Sequence, residues 1–419
     1  MPGDSVTLPA GAKLLGPIPA GYRSIDGEMA IGSQPVSHWV VEAGGTPLFL
    51  YSRELIAQRM AQLRAAMPER LGINYAVKAN PFGPVLRLLS PLVDGFDIAS
   101  AGELALLRAA GIDPARVSFA GPGKDDAELA AAIAAGVTLN IESEGELARA
   151  LAIGRTSNRQ VRGALRVNPD FTLRGSGMKM GGGAKPFGID AAEVPALARK
   201  LIAEGAEYRG LQIFTGSQAL DAEAVIAMQA AVLQLADQLA REIGQPLRAL
   251  NMGGGFGIPY FAGDAPLDIE AVGIALKQEF AALPPALADA AIHIELGRFI
   301  VGEAGVYLTR ILDRKVSHGQ VFLVTDGGLH HQLAASGNFG TVVRRNYPVA
   351  IASRFTEPPS EVVSVVGRLC TPLDRLADNA WLPRAEVGDL VAVFCAGAYG
   401  ATASPVHFLG HGPAAEMLV

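Results

Sequence analysis

From residue 47 to about residue 300 the chain alternates between short apolar runs and longer stretches with apolar residues at helical spacing. The runs TPLFLY, INYAVKA, GFDIAS, VSFAG, VTLNIE, GALRVN, LQIFTG, LRALNMGG and IHIELG are almost continuously apolar, as strands buried on both faces are. Between them lie GELALLRAAG, DAELAAAIAAG, SEGELARALAIG and EVPALARKLIAEGAEYRG, which carry the helical period. Repeated units of this kind predict a parallel sheet covered by helices. About eight strands in roughly 250 residues fit a closed, TIM-like (β/α)8 barrel over 46–300, with an open doubly wound sheet as the alternative.

After about residue 300 the texture changes. GVYLTRILDRKV, QVFLVTDGG, EVVSVVG and GDLVAVFCAGAY read as strands separated by Gly, Asp and Pro turns, and no long helical pattern divides them. Residues 301–419 are therefore expected to form an antiparallel β-domain. The first 45 residues are strand-like in part (MAIGSQPVSHWVVEAGG) and are expected to join it. No repeat of solenoid type is visible.

Composition narrows the class. Half of the 419 residues are apolar and 18% charged, so the chain can bury a large core and is not generally disordered. Its 49 glycines and 27 prolines sit between the apolar segments, as tight connections do. A formal charge of −6 argues against a general nucleic-acid binder. The two cysteines, Cys370 and Cys395, cannot make a disulfide framework and matter, if at all, as thiols. No apolar run approaches a membrane span, and the start lacks a signal-peptide pattern, so a cytoplasmic protein is expected.

In a barrel of this kind the chemistry sits at the C-terminal ends of the strands. Lys78 follows the run INYAV; it is either a lysine snorkelling from a strand end or an amine suited to a Schiff base. Gly253-Gly254-Gly255-Phe256-Gly257 is either a tight turn or a bare-backbone cradle for a phosphate. Glu295 ends another apolar run. Its carboxylate either pairs with Arg298 or holds a heterocyclic nitrogen. The second Gly-rich stretch, 178–183, has no strand ahead of it and reads as a mobile loop. His330 and His331 lack ligand-spaced partners, so no metal site is expected, and no G-x-S-x-G elbow indicates a serine hydrolase.

Taken in order, YAVKANP, FDIASAGEL, GPGK, LRVNP, GSQ, GGGFG, ELGR, Cys370 and GAYG resemble the pyridoxal-phosphate-dependent decarboxylases of the ornithine, arginine and diaminopimelate family. The resemblance spans nearly the whole chain and implies an alanine-racemase-like barrel with a β-domain. It implies pyridoxal 5′-phosphate as cofactor, carried covalently by Lys78. Gly254, Gly255, Gly297, Arg298 and Tyr399 match phosphate-binding positions, and Glu295 matches the acid that pairs with the pyridine nitrogen. Asp97 and Arg166 belong to the cofactor's surroundings. Cys370 matches a cysteine at the dimer interface that reaches the other subunit's site, so the implied assembly is a homodimer with shared active sites.

Two departures bear on substrate. Where the family commonly has a histidine stacked on the cofactor, Phe214 stands ahead of Gly216-Ser217; it can stack but not carry charge. Where the family has Asp or Glu after the cysteine, to pair with a distal ammonium, Thr371 stands here, unless Asp374 substitutes. TDGGLHH, RRNYPV, LCTPLDRL and GAYGATASPVHFLGH resemble the subgroup acting on an amino acid tethered to an acyl carrier protein. The glutamyl-carrier-protein decarboxylase of aminoglycoside biosynthesis and the exosortase-associated decarboxylases are of this kind. Diaminopimelate decarboxylase is the main alternative; a racemase is disfavoured by Glu295, and a non-catalytic relative by the retention of Lys78, Glu295 and Cys370. An acidic carrier would need a local basic patch, for which Arg344, Arg345 and Arg375 are candidates.

Overall fold

The computed structural model describes residues 8–172, 178–179, 181–337 and 344–419, and the chain divides into two compact units. The first unit comprises residues 58–258 and 266–299. Its strands are β1 (Gly72–Ala76), β2 (Gly95–Ile98), β3 (Val117–Phe119), β4 (Thr138–Ile141), β5 (Arg162–Asn168), β6 (Glu207–Ile213), β7 (Ala249–Gly254) and β8 (Ala291–Leu296). Every neighbouring pair is parallel, and β8 returns to β1 through Glu295 opposite Asn74, which closes the barrel.

The helices begin where the sequence offers caps. Ser100, Asp125 and Ser143 each accept the backbone N–H of a glutamate three residues on, at Glu103, Glu128 and Glu146. An S/D-x-x-E pattern in the connection that follows a strand thus satisfies the first turn of the helix, an effect typically worth about 1 kcal/mol each. Gly136, Asn158 and Gly244 close three of the helices in left-handed conformation.

The second unit comprises residues 8–57, 259–265 and 300–419 among those described. Its sheet runs Val349–Ile351, Leu390–Val393, Gly305–Ser317, Gln320–Thr325, Glu361–Val366, Arg375–Leu382. Most pairs are antiparallel, but Gln320–Thr325 lies parallel to Glu361–Val366, so the sheet is mixed. Leu48, Leu50, Val306, Leu308, Ala392 and Phe394 form its core with Met29, Ile31, Val36 and Val40.

Two local expectations fail here. TPLFLY is not a barrel strand: Leu48–Tyr51 pairs with Gly305–Leu308 and Ala415–Leu418 in the second sheet. All four of its residues are buried, and a strand covered on both faces has the same continuous apolar pattern in either kind of sheet. VSHWVVE, expected as strand, is the helix Val36–Glu42; Val36 and Val40, one turn apart, bury its inner face.

Candidate active site

The C-terminal end of the barrel gathers the residues that the sequence singled out between 78 and 298. Lys78 sits on a single 3-10 turn, Val77–Ala79, directly after β1, exposed between two buried neighbours. Gly297 makes that turn possible. A Cβ there would lie 2.6 Å from Ala79 Cβ and 3.1 Å from the Ala76 carbonyl oxygen, so only glycine lets the exit of β8 pack against it. The Lys78 amine stands 5.7 Å from the centre of the Phe214 ring, which is buried after β6.

Glu295 is buried near the end of β8, and its Oε2 accepts from Gln212 Nε2 at 2.8 Å and Asn251 Nδ2 at 2.9 Å. Asp97 on β2 is equally buried. Ser118 Oγ donates to its Oδ1 in a short hydrogen bond, with Asn74 Nδ2 at 3.5 Å, while Oδ2 has no protein partner. Burial first, and then the nearby Glu295 carboxylate, push Asp97 well above the usual carboxylate range; Ser118, Asn74 and the Lys78 charge pull the other way.

The turn after β7 runs through Gly253 (φ +67°) and Gly255 (φ +84°), conformations that favour glycine. A Cβ on Gly254 would meet the Glu295 carbonyl oxygen at 1.9 Å. The 216–219 segment clamps this turn: Ala219 N–H donates to the Gly255 oxygen (2.9 Å) and Gly257 N–H to the Ala219 oxygen (2.8 Å). Gln218 Nε2 donates to the Ile258 carbonyl at 2.6 Å. Gly216 and Ser217 pair in turn with Met178–Lys179, so part of the stretch expected as a mobile loop is a short strand; Met180 lies outside the described residues. Arg298 opens the helical turn Arg298–Val301 immediately after Gly297.

Arg166 on β5 is held at 2.7 Å by Glu142, whose Oε2 also accepts from Gly188 N–H. Sequence reasoning missed Glu142, Gln212 and Asn251. The signal was present in TLNIE, LQIF and LNMGG: a polar residue inside a buried strand requires a partner. Lys124 of GPGK is buried and donates to two carbonyls and Glu146, which makes it a brace of its own loop.

Cys370 and Tyr399 belong to the second unit. Cys370 is exposed after Glu361–Val366, and Tyr399 is half-buried with φ +58°, unusual for a residue with a side chain. Asp374 does not offer a free carboxylate. It is buried, its Oδ1 accepts from Leu329 N–H (2.6 Å) and its Oδ2 from Leu369 N–H (2.8 Å), and Gly328 and Gly367 leave it room.

His331 is satisfied by Tyr307 and the Gly412 carbonyl, whereas both ring nitrogens of the fully buried His330 have no partner. Burial, helped by His331 and His411, lowers the His330 pKa to about 4, so it is neutral in the fold at pH 7. Because the unfolded chain binds that proton near pH 6.5 and the fold does not, stability should fall as pH drops from about 6.5 towards 4. Denaturant midpoints at pH 7 and 5 should show a smaller acid loss in His330→Phe than in the unsubstituted protein. Among the described residues no group of three or more His, Cys, Asp and Glu could hold a metal. No helix among them is long and apolar enough to cross a membrane.

These features fit pyridoxal phosphate. The side-chain-free turn Gly253–Gly255 suits a phosphate, Lys78 supplies an amine at the rim, and Glu295, with two amides converging on one oxygen, suits a ring nitrogen.

Residues 53–302 match the family described as pyridoxal-dependent decarboxylase, pyridoxal binding domain. The chain is 35% identical over 383 residues to the L-glutamyl-[BtrI acyl-carrier protein] decarboxylase of Niallia circulans, covering 89% of this chain and 88% of that protein. It is 34% identical over 411 residues to the diaminopimelate decarboxylase of Aquifex aeolicus, covering 95% and 91%. The crystal structure of diaminopimelate decarboxylase from Helicobacter pylori complexed with L-lysine superimposes with a TM-score of 0.80 at 26% identity, over 91% of this chain and 94% of that one.

Proposed function

The chain belongs to the pyridoxal-dependent decarboxylases, and from that premise we propose that it decarboxylates an amino acid whose distal end is neutral or acyl-linked, such as a glutamyl unit on a carrier protein. The observation that carries this reading is the loop after Cys370. Thr371 offers a hydroxyl that already accepts from the Leu373 N–H (3.3 Å), and Asp374 spends both oxygens on backbone N–H groups. A distal ammonium would find no free acid there, and an unpaired buried charge costs several kcal/mol. The carrier-linked specificity of the Niallia circulans relative supports the same reading.

Pyridoxal phosphate, when bound, supplies the electron sink for the charge left at Cα as carbon dioxide departs. Lys78 would hold it covalently. Gly254, Gly255, Gly297 and Arg298 would hold its phosphate, a role that the family resemblance also gives to Tyr399, with Ser217 in the loop beside them. Phe214 would stack on its ring, Asp97 and Arg166 would line its surroundings, and the Glu295 carboxylate would keep its ring nitrogen protonated. Cys370 would return a proton to Cα, a task suited to a thiol.

The protein acts as a homodimer with Cys370 and Lys78 of each site contributed by different copies. Lys78→Ala and Cys370→Ala should each be inactive alone, and mixing them under subunit exchange should restore part of the activity, since some hybrids carry one intact site. An active monomer in light scattering, or exchange without recovery, would contradict the shared site.

Carrier docking has its own test. Lys13, Arg344 and Arg375 crowd around the single Asp378, and Arg345 lies exposed with its guanidinium 3.8 Å from the centre of the Phe261 ring. This local excess of positive charge suits an acidic carrier. Arg344→Glu with Arg345→Glu should raise KM for a carrier-linked substrate roughly tenfold and leave kcat on a small thioester mimic nearly unchanged. An unchanged KM would remove this surface from the reading.

A further inference from the structure

The barrel holds a second interior feature below the acids. In its N-terminal half lies a cavity of about 230 Å3, lined among others by Asn74, Ser118, Thr138, Asn140, Asn251 and His293. Barrels of this architecture normally fill that space with layers of branched side chains. Here Gly95 and Ala164 leave it open: a Cβ on Gly95 would stand 2.6 Å from Asn74 Oδ1. The volume accommodates several water molecules.

Three wall residues reach the acids directly. Ser118 and Asn74 donate to Asp97, and Asn251 donates to Glu295. Asn140 Nδ2 in turn donates to Ser118 Oγ at 3.3 Å. Asn74 Oδ1, Asp97 Oδ2 and His293 Nδ1 are buried without a protein partner, and buried acceptors of this kind are ordinarily met by internal water. The charges at the mouth are already paired. Arg116 donates to the carbonyls of Ser90, Val93 and Asp94, Asp94 accepts from Arg64 and from the Ile73 N–H, and Arg209 pairs with Glu207. The space therefore suits water rather than an ion.

We propose that this cavity is a water-filled conduit through which Asp97 exchanges its proton with solvent at the N-terminal mouth of the barrel, by way of Ser118. A protonated cavity water gives its proton to Ser118 Oγ as the Ser118 hydroxyl passes its own to Asp97 Oδ1, leaving neutral water; the reverse sequence deprotonates Asp97. The charged groups bearing on Asp97 are Glu295 and Lys78, with His293, Asp94, Arg116 and Arg209 around the cavity. Such a route keeps Asp97 in equilibrium with solvent from the N-terminal side of the barrel. It does not depend on the identity of the substrate.

The test follows the carboxyl and carboxylate infrared bands of [4-13C]aspartate-labelled holoenzyme after a pH jump, with Asp97 assigned by loss of its bands in Asp97→Asn. The unsubstituted protein and Ser118→Thr should respond within mixing. Ser118→Ala, which breaks the relay, and Ala164→Leu, which fills the cavity, should respond more slowly by about tenfold or more. If Ala164→Leu does not fold, Thr138→Leu fills the same space. Equal rates in the relay and filling variants, or Asp97 bands that do not respond to the pH jump at all, would overturn the proposal.

Discussion

Replacing Lys78 by alanine should reduce turnover by at least about a thousandfold, because the amine that would hold the cofactor is removed. The substitution removes an exposed side chain on a turn whose buried neighbours, Val77 and Ala79, stay in place, so the fold should survive. Borohydride reduction followed by peptide mass analysis separates the two readings of this lysine. The unsubstituted protein should yield a pyridoxyl adduct on the peptide containing Lys78, and Lys78→Ala should yield none there. An adduct on another lysine with turnover retained would make Lys78 a solvated strand-end residue after all.

The second large effect belongs to Glu295. Glu295→Gln keeps the size of the side chain and an acceptor oxygen for the amides of Gln212 and Asn251, but removes the negative charge. If that charge holds the cofactor nitrogen protonated, kcat should fall on the order of a hundredfold to a thousandfold, about 2.7–4 kcal/mol of electrostatic stabilisation. Cofactor content and thermal midpoint should change little. Unchanged kcat would mean that Glu295 is a satisfied structural carboxylate and nothing more.

Much of this was legible in the sequence because each barrel strand announces itself by a nearly continuous apolar run. The caps at Ser100, Asp125 and Ser143, each with a glutamate three residues on, mark three of the turns from strand to helix but were not read from the sequence. The site residues at strand ends, Lys78, Gly254 and Glu295, were visible for the same reason: each breaks the apolar pattern where a barrel puts its chemistry. Leu48–Tyr51 was misplaced because burial on both faces carries no information about which sheet a strand joins. Asp374 looked like a spare acid beside Cys370, and only its two backbone donors reveal that it is occupied. Glu142 was overlooked because its partner, Arg166, lies 24 residues away in the chain. The cavity beneath Asp97 had no signature at all, since small and polar residues on successive strands mean nothing until the barrel closes.

The proposed substrate has a distal end that is not a free ammonium. Carbon dioxide release under identical conditions from a glutamyl-carrier thioester and from free meso-diaminopimelate, lysine and ornithine tests it most directly. A missing charged partner is commonly worth about 1.5–3 kcal/mol, so the free diamino acids should lag in kcat/KM by roughly tenfold to a hundredfold or more. Turnover of meso-diaminopimelate equal to or better than that of any tethered substrate would contradict the account and make the protein a diaminopimelate decarboxylase.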